Sequence, residues 1–172
     1  MVTKPRMLDH ALQYAHRGWH VFPLHSVRNG LCSCAKPSCE NPAKHPRTEH
    51  GLLDATIDVD TIAKWWSTWP DANIGIRTGQ ISGVVVLDLD AKNGGLESWN
   101  ELQDIHGRVE TLTCRTGGGG LHLYFEAPAD ELKSTGSQIA PGIDTRAEGG
   151  YVVAPPSLHI SGRRYQWEGE EW

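Results

Sequence analysis

The chain has 172 residues, 38% of them hydrophobic, and a formal net charge of −5. That length suits one domain with a sizeable core. The sequence shows no leader pattern and no apolar run of transmembrane length, so a soluble, cytoplasmic protein with no membrane partner is expected. The acid excess falls in the second half and no Lys/Arg run exists, which excludes a strong salt-resistant grip on nucleic acid.

In chain order, Leu8, Ala11, Leu12 and Ala15 form a helical stripe that Gly18 ends, and Val21 to Leu24 reads as a short strand. A cysteine-rich segment follows. Asp58 or Asp60 then caps a helix carrying Ile62, Trp65, Trp66 and Trp69, which Pro70 stops. The tryptophan spacing is that of a buried stripe rather than of base-stacking platforms. Ile74 to Arg77 and Val84 to Asp88 are expected to pair as strands. Gly94-Gly95 leads into a helix from Leu96 to Ile105, followed by strands near Thr111–Arg115, Leu121–Phe125, Tyr151–Ala154 and Tyr165–Trp167. Helices interspersed with strands and glycine hairpins predict an α+β fold. The acidic segment from Glu168 to Trp172 has no period and reads as a solvated tail or as the point where a longer protein continues.

The run Val84-Val85-Val86-Leu87-Asp88-Leu89-Asp90 is a buried strand ending in two acids. Side chains two apart on a strand share a face, so two carboxylates stand together and call for a cation. Hard oxygen ligands favour Mg²⁺ or Mn²⁺. The competing reading is a strand that runs into a polar loop, with both acids solvated. Next comes Thr116-Gly117-Gly118-Gly119-Gly120-Leu121-His122-Leu123-Tyr124-Phe125. Four glycines let backbone N–H groups approach an anion. Alternation then turns Leu121, Leu123 and Phe125 to a core, with His122 and Tyr124 on the other face. A flexible hairpin with a surface histidine is the alternative. The glycine order fits neither a P-loop nor a dinucleotide fingerprint. Asp144, in Gly142-Ile143-Asp144-Thr145-Arg146, is a third acid; read alone it is a turn aspartate.

Cys32, Cys34, Cys39 and His45 form a C-x-C-x₄-C-x₅-H cluster. Three thiols and an imidazole make a closed tetrahedral zinc set. His25 or His50 could stand in for His45, and a Cys32–Cys39 or Cys34–Cys39 disulfide is the alternative. Three thiols leave one unpaired and nothing points to secretion, which favours a structural Zn²⁺. Cys114 reads as a small buried residue.

Taken together, the Asp88/Asp90 pair, the glycine loop with His122, and Asp144 resemble the bifunctional primase/polymerase (prim-pol) family of the archaeo-eukaryotic primase superfamily. The likeness runs from about Ala11 to Trp167 and includes Asp54-Ala55-Thr56, Trp65-Trp66, Asn73-Ile74-Gly75-Ile76 and Thr78-Gly79. It implies an RRM-like palm, a small N-terminal α/β subdomain and a zinc-binding insertion at about 31–46. It also implies one catalytic domain over residues 1–172, with a metal and nucleotide site over about 77–157, forming the N-terminal part of a longer replication protein. The implied activity is template-dependent nucleotidyl transfer, adding an NTP or dNTP to a primer 3′-hydroxyl on DNA. Two Mg²⁺ or Mn²⁺ ions on Asp88, Asp90 and Asp144 would serve it. His122, Arg115, Thr116 and Gly117, Gly118 and Gly119 are implied to hold the triphosphate, with Arg77 and Arg146 as further phosphate contacts or partners of acids. Any helicase would lie outside these residues. The superfamily often has Ser-x-His where this chain has Gly120-Leu121-His122, so a hydroxyl contact would have to come from Thr116 or be absent. Two other readings are a nicking nuclease on a palm-like fold and a non-catalytic zinc nucleic-acid module. The first needs a nucleophilic tyrosine and a second histidine beside His122. The second leaves the acids and the glycine loop without a role.

Overall fold

A computed structural model describes residues 6–169 of the protein. Glu170, Glu171 and Trp172, the end of the acidic segment, lie outside the described residues. The helices are α1 (Met7–His16), α2 (Val59–Thr68) and α3 (Gly95–His106). The strands are β1 (Val21–Leu24), β2 (Val27–Arg28), β3 (Leu31–Cys32), β4 (Asn73–Arg77), β5 (Val84–Leu89), β6 (Leu112–Arg115), β7 (Leu121–Glu126), β8 (Thr135–Ala140), β9 (Ile143–Arg146), β10 (Tyr151–Ala154) and β11 (Gln166–Trp167). Helices beside antiparallel sheets give the expected α+β class. None of the described helices is long and apolar enough to cross a membrane.

Local chemistry explains the helix limits. Gly18, at φ +84°, follows the last turn of α1. Asp58, not Asp60, caps α2, its side chain accepting from the Thr61 N–H at 2.8 Å. Ile62 and Trp66 on α2 are buried, and the Trp66 Nε1–H donates to the Ala72 carbonyl. Trp65 and Trp69 pack against the same core, as a buried stripe requires.

Two sheets organise the chain. The smaller has the order β1-β4-β10, and α1 and α2 pack beside it. The larger has the order β11-β6-β7-β5-β9-β8. A short hairpin, β2-β3, opens the cysteine-rich segment. The expected pairing of residues 74–77 with 84–88 does not form. An isolated Gly79–Val84 bridge lies beyond the end of β4. β4 is instead the centre of the small sheet, and β5 lies between β7 and β9 in the large one. Both runs are apolar, and an apolar run specifies burial but not a partner. Strands β8 and β9 add to what the sequence pattern predicts. β8 is polar and largely exposed on the sheet edge, and β9 places Asp144 in a strand rather than a turn.

The large sheet is covered on both faces. Leu89, Leu123 and Ile143 form one core with Leu121, Phe125 and the α3 residues Leu96, Trp99 and Leu102. On the other face Val84, Val86, Cys114 and Tyr124 join the main core with Phe22, Ile74, Ile76 and Trp66. The Trp19 ring stacks on Tyr124 at 5.5 Å and on Tyr14 at 5.9 Å. Each such large side chain contributes about 1.5–3 kcal/mol by burial. Cys114 is fully buried, as expected. Where that second face is not covered, a cavity remains.

Candidate active site and zinc centre

The cavity sits on a single rung of the large sheet. Asp88 on β5 is paired in register with His122 on β7 and with Asp144 on β9. Residues directly opposite on adjacent strands share a face, so the three side chains form one row. Arg146, two residues beyond Asp144, shares that face. Its Nη2 donates to Asp88 Oδ2 at 3.1 Å and to Asp144 Oδ2 at 2.9 Å. Asp144 Oδ1 accepts the Ser137 N–H at 2.9 Å. His122 is 5% exposed, and its Nε2 lies 3.5 Å from Asp88 Oδ1. Burial pushes the Asp88 carboxyl up, but His122 and Arg146 outweigh it and hold the group down at about 2.

Asp90 lines the same cavity as Asp88. Its carboxylate turns to the Lys92 N–H at 2.8 Å and the Asn93 Nδ2 at 2.6 Å, capping a short 3₁₀ turn. The cavity encloses about 470 Å³. The donor set is all carboxylate oxygen, and a guanidinium stands between two of its members. Carboxylate oxygens are of the kind that could ligate a hard divalent cation, and in this arrangement the Arg146 guanidinium holds the place between Asp88 and Asp144.

The glycine loop is the turn between β6 and β7. Thr116 N–H donates to the Gly120 carbonyl at 2.9 Å, and Thr116 Oγ1 accepts from Gly120 N–H at 3.0 Å. A Cβ on Gly117 would sit 2.1 Å from His159 Cβ, and one on Gly120 would sit 2.1 Å from the Leu89 carbonyl oxygen. Those two glycines allow close packing. Gly118 borders the cavity, together with Thr116 and Gly120.

Other predicted contacts fall outside the cavity lining. Arg115 pairs in register with Leu121, so it projects to the face opposite His122 and binds Glu168 at 2.7 Å. Arg77 lies 3.9 Å from Glu148. Gly117 and Gly119 are in the turn but not in the lining. The structure adds Lys44, Lys92, Tyr151, His159 and Tyr165 to it. His159 follows Pro155-Pro156-Ser157 without a strand pattern; the signal available was a histidine two residues before a serine able to anchor its ring.

Among the described residues, one group of His, Cys, Asp or Glu gathers its donor atoms closely enough for an ion. It is Cys32, Cys34, Cys39 and His45, with all four donor atoms within 4.8 Å of one another. Cys32 Sγ lies 3.5 Å from His45 Nε2, and all three thiols are free. This cluster could hold zinc: tetrahedral zinc with sulfur at ~2.3 Å and nitrogen at ~2.0 Å needs donors at about these separations. His25 bonds Ser33 through Nδ1 and stacks on His45 at 4.3 Å, whereas His50 pairs with Asp54. His45 is therefore the fourth member.

A search of the curated proteins finds no match. A protein-family model, described as bifunctional DNA primase/polymerase, N-terminal, matches residues 11–171, nearly the whole chain. With a histidine–acid–acid rung lining its cavity, the chain belongs to this Prim-Pol family, whose type of activity is primase/polymerase nucleotidyl transfer.

Proposed function

We propose that the protein is a template-dependent nucleotidyltransferase, adding an NTP or dNTP to a primer 3′-hydroxyl on a DNA template. The observation that carries this reading is the His122–Asp88–Asp144 rung beside a glycine turn, within one cavity. On this reading the large sheet is an RRM-like palm, the small sheet an N-terminal α/β subdomain, and the chain one catalytic domain of a replication protein that works with a helicase.

Asp88, Asp90 and Asp144 would hold two Mg²⁺ or Mn²⁺ ions. Bound there, such ions activate the attacking hydroxyl and offset charge on the leaving phosphates. The rest follows from the protein's own groups. Asp88 orients the buried His122 by contact with Nε2 at 3.5 Å. Arg146 neutralises the row and would be placed to contact phosphate if a metal engaged the carboxylates. The bare edge of Gly118 admits the triphosphate close to the backbone. Positioning and electrostatics supply most of the rate.

The nicking-nuclease alternative needs an ionisable tyrosine. Tyr151 and Tyr165 line the cavity, but burial pushes both phenols up, away from nucleophilic character.

Primer extension with and without Mg²⁺ or Mn²⁺ is the decisive assay. Asp88→Ala and Asp90→Ala should each reduce incorporation on the order of a thousandfold with native circular dichroism. Full activity in both variants would rule out this site.

A further inference from the structure

The zinc loop and the cavity are not separate places. Asn41 and Lys44, from the loop that ends in the ligand His45, line the cavity. Tyr151 Oη–H donates to the Lys44 carbonyl at 3.0 Å. A single side chain fixes this loop to another. Asn73 is 1% exposed; its Nδ2 donates to the carbonyls of Ala43 at 2.9 Å and Leu158 at 2.8 Å, and its Oδ1 accepts from Leu158 N–H at 2.9 Å. Ala43 precedes Lys44, and Leu158 precedes His159. One buried amide therefore sets the spacing of two residues that face the same cavity.

His159 is built to present one nitrogen. Its ring packs on Gly117. Ser161 N–H donates to His159 Nδ1 at 3.1 Å, and Ser161 Oγ lies 2.9 Å from the same atom. Ser161 Oγ–H is already directed to the Gly117 carbonyl at 2.8 Å. The Ser161 N–H contact selects the tautomer in which Nδ1 accepts and a neutral ring carries its proton on Nε2. Nε2 lies on the Gly118 side, 3.8 Å from where a Cβ on that glycine would be. Burial, then Lys44, Lys92 and Arg163, hold the ring below its ordinary pKa. Lys92 also lines the cavity. Cationic and N–H donors thus gather near Gly118, in a cavity whose sheet rung carries the carboxylates.

We infer that the zinc loop is part of the nucleotide site, delivering Lys44 to a subsite where Lys44 and the Nε2–H of His159 hold the polyphosphate of the incoming nucleotide. This rests on the nucleotidyl-transfer reading. Zinc then stabilises the position of a phosphate-binding lysine as well as the fold of its own loop.

Inorganic tripolyphosphate is the probe, because it carries the phosphates without base or sugar. Calorimetric titration of the zinc-loaded protein should show binding. Lys44→Ala, at an exposed position, should weaken it on the order of tenfold with zinc content unchanged, as expected for loss of one charge-assisted contact. His159→Asn keeps an acceptor for Ser161 N–H and removes the Nε2 donor, so it should weaken binding similarly. His159→Gln restores a donor near Nε2 and should recover most of the affinity. No binding by the wild type, or unchanged affinity in Lys44→Ala or His159→Asn, overturns the inference. Primer extension separates the two readings: wild-type extension with an unaltered nucleotide KM in Lys44→Ala defeats this subsite alone. Absent extension defeats the catalytic reading, while the tripolyphosphate titration still decides the subsite.

Discussion

Arg146 sets the charge balance of the carboxylate row. It contacts both Asp88 and Asp144 from a half-buried position, and removing it leaves two acids side by side. Arg146→Ala should lower the thermal stability of the metal-free protein, by on the order of 1 kcal/mol after solvent screening. Mn²⁺ should restore more stability to the variant than it adds to the wild type. Melting curves with and without Mn²⁺ check this, and equal shifts in both proteins would argue against an ion at this place. The glycine turn offers a second contrast. Gly117→Ala drives a methyl into His159 and should cost about 1–3 kcal/mol as overpacking. Gly118→Ala meets only ordinary contacts at 3.7 Å and beyond and should leave the fold intact while weakening nucleotide binding. Urea titration of the pair separates a packing glycine from a cavity glycine. Asp88 and His122 were legible because period-2 alternation assigns each to a face. Lys44 and His159 were not, because neither lies on a periodic element and their meeting depends on the buried Asn73.

At the scale of elements, the cysteine-rich loop is short and lies outside the two main sheets. The four donors, the bonds from Asn73 and Tyr151, and those of Ser33 and His45 with Ser26, His25 and Arg47 order it. The purified protein should carry about one equivalent of zinc per chain. Cys39→Ser should lose that zinc, lower Tm and raise the nucleotide KM more than it lowers kcat. Elemental analysis with steady-state kinetics reads all three, and a zinc-free wild type with a Cys32–Cys39 or Cys34–Cys39 disulfide would falsify the assignment. The elements themselves show what local patterns convey. Helix α2 was readable from its cap, its tryptophan stripe and Pro70. The partner of β4 was not, since the antiparallel neighbours β1 and β10 come from opposite ends of the chain. β8 was not readable either: Thr135 to Ala140 is polar and mostly exposed, so no apolar alternation marks it as a strand.

For the whole molecule, charge limits the grip on template. The net charge is −5, and the second half of the chain holds the acid excess. Single-stranded DNA should bind with a micromolar or weaker Kd at ~150 mM salt and should tighten steeply as salt falls. Fluorescence anisotropy across a salt series tests this; a salt-independent nanomolar Kd would mean that contacts other than phosphate dominate.

The rung His122–Asp88–Asp144 also has a consequence for how the molecule is made. Its three members lie far apart in the chain and meet only through strand register. The zinc donors, from Cys32 to His45, fall within one short segment. Long loops must close before distant strands can zip, whereas a short loop closes at little entropic cost. Zinc uptake thus reports on local order, and nucleotide binding on completion of the sheet. A one-residue slip of β5 would leave the zinc donors in place and turn Asp88 to the face beneath α3. A chain could therefore hold zinc at this cluster and still lack the His122–Asp88–Asp144 rung.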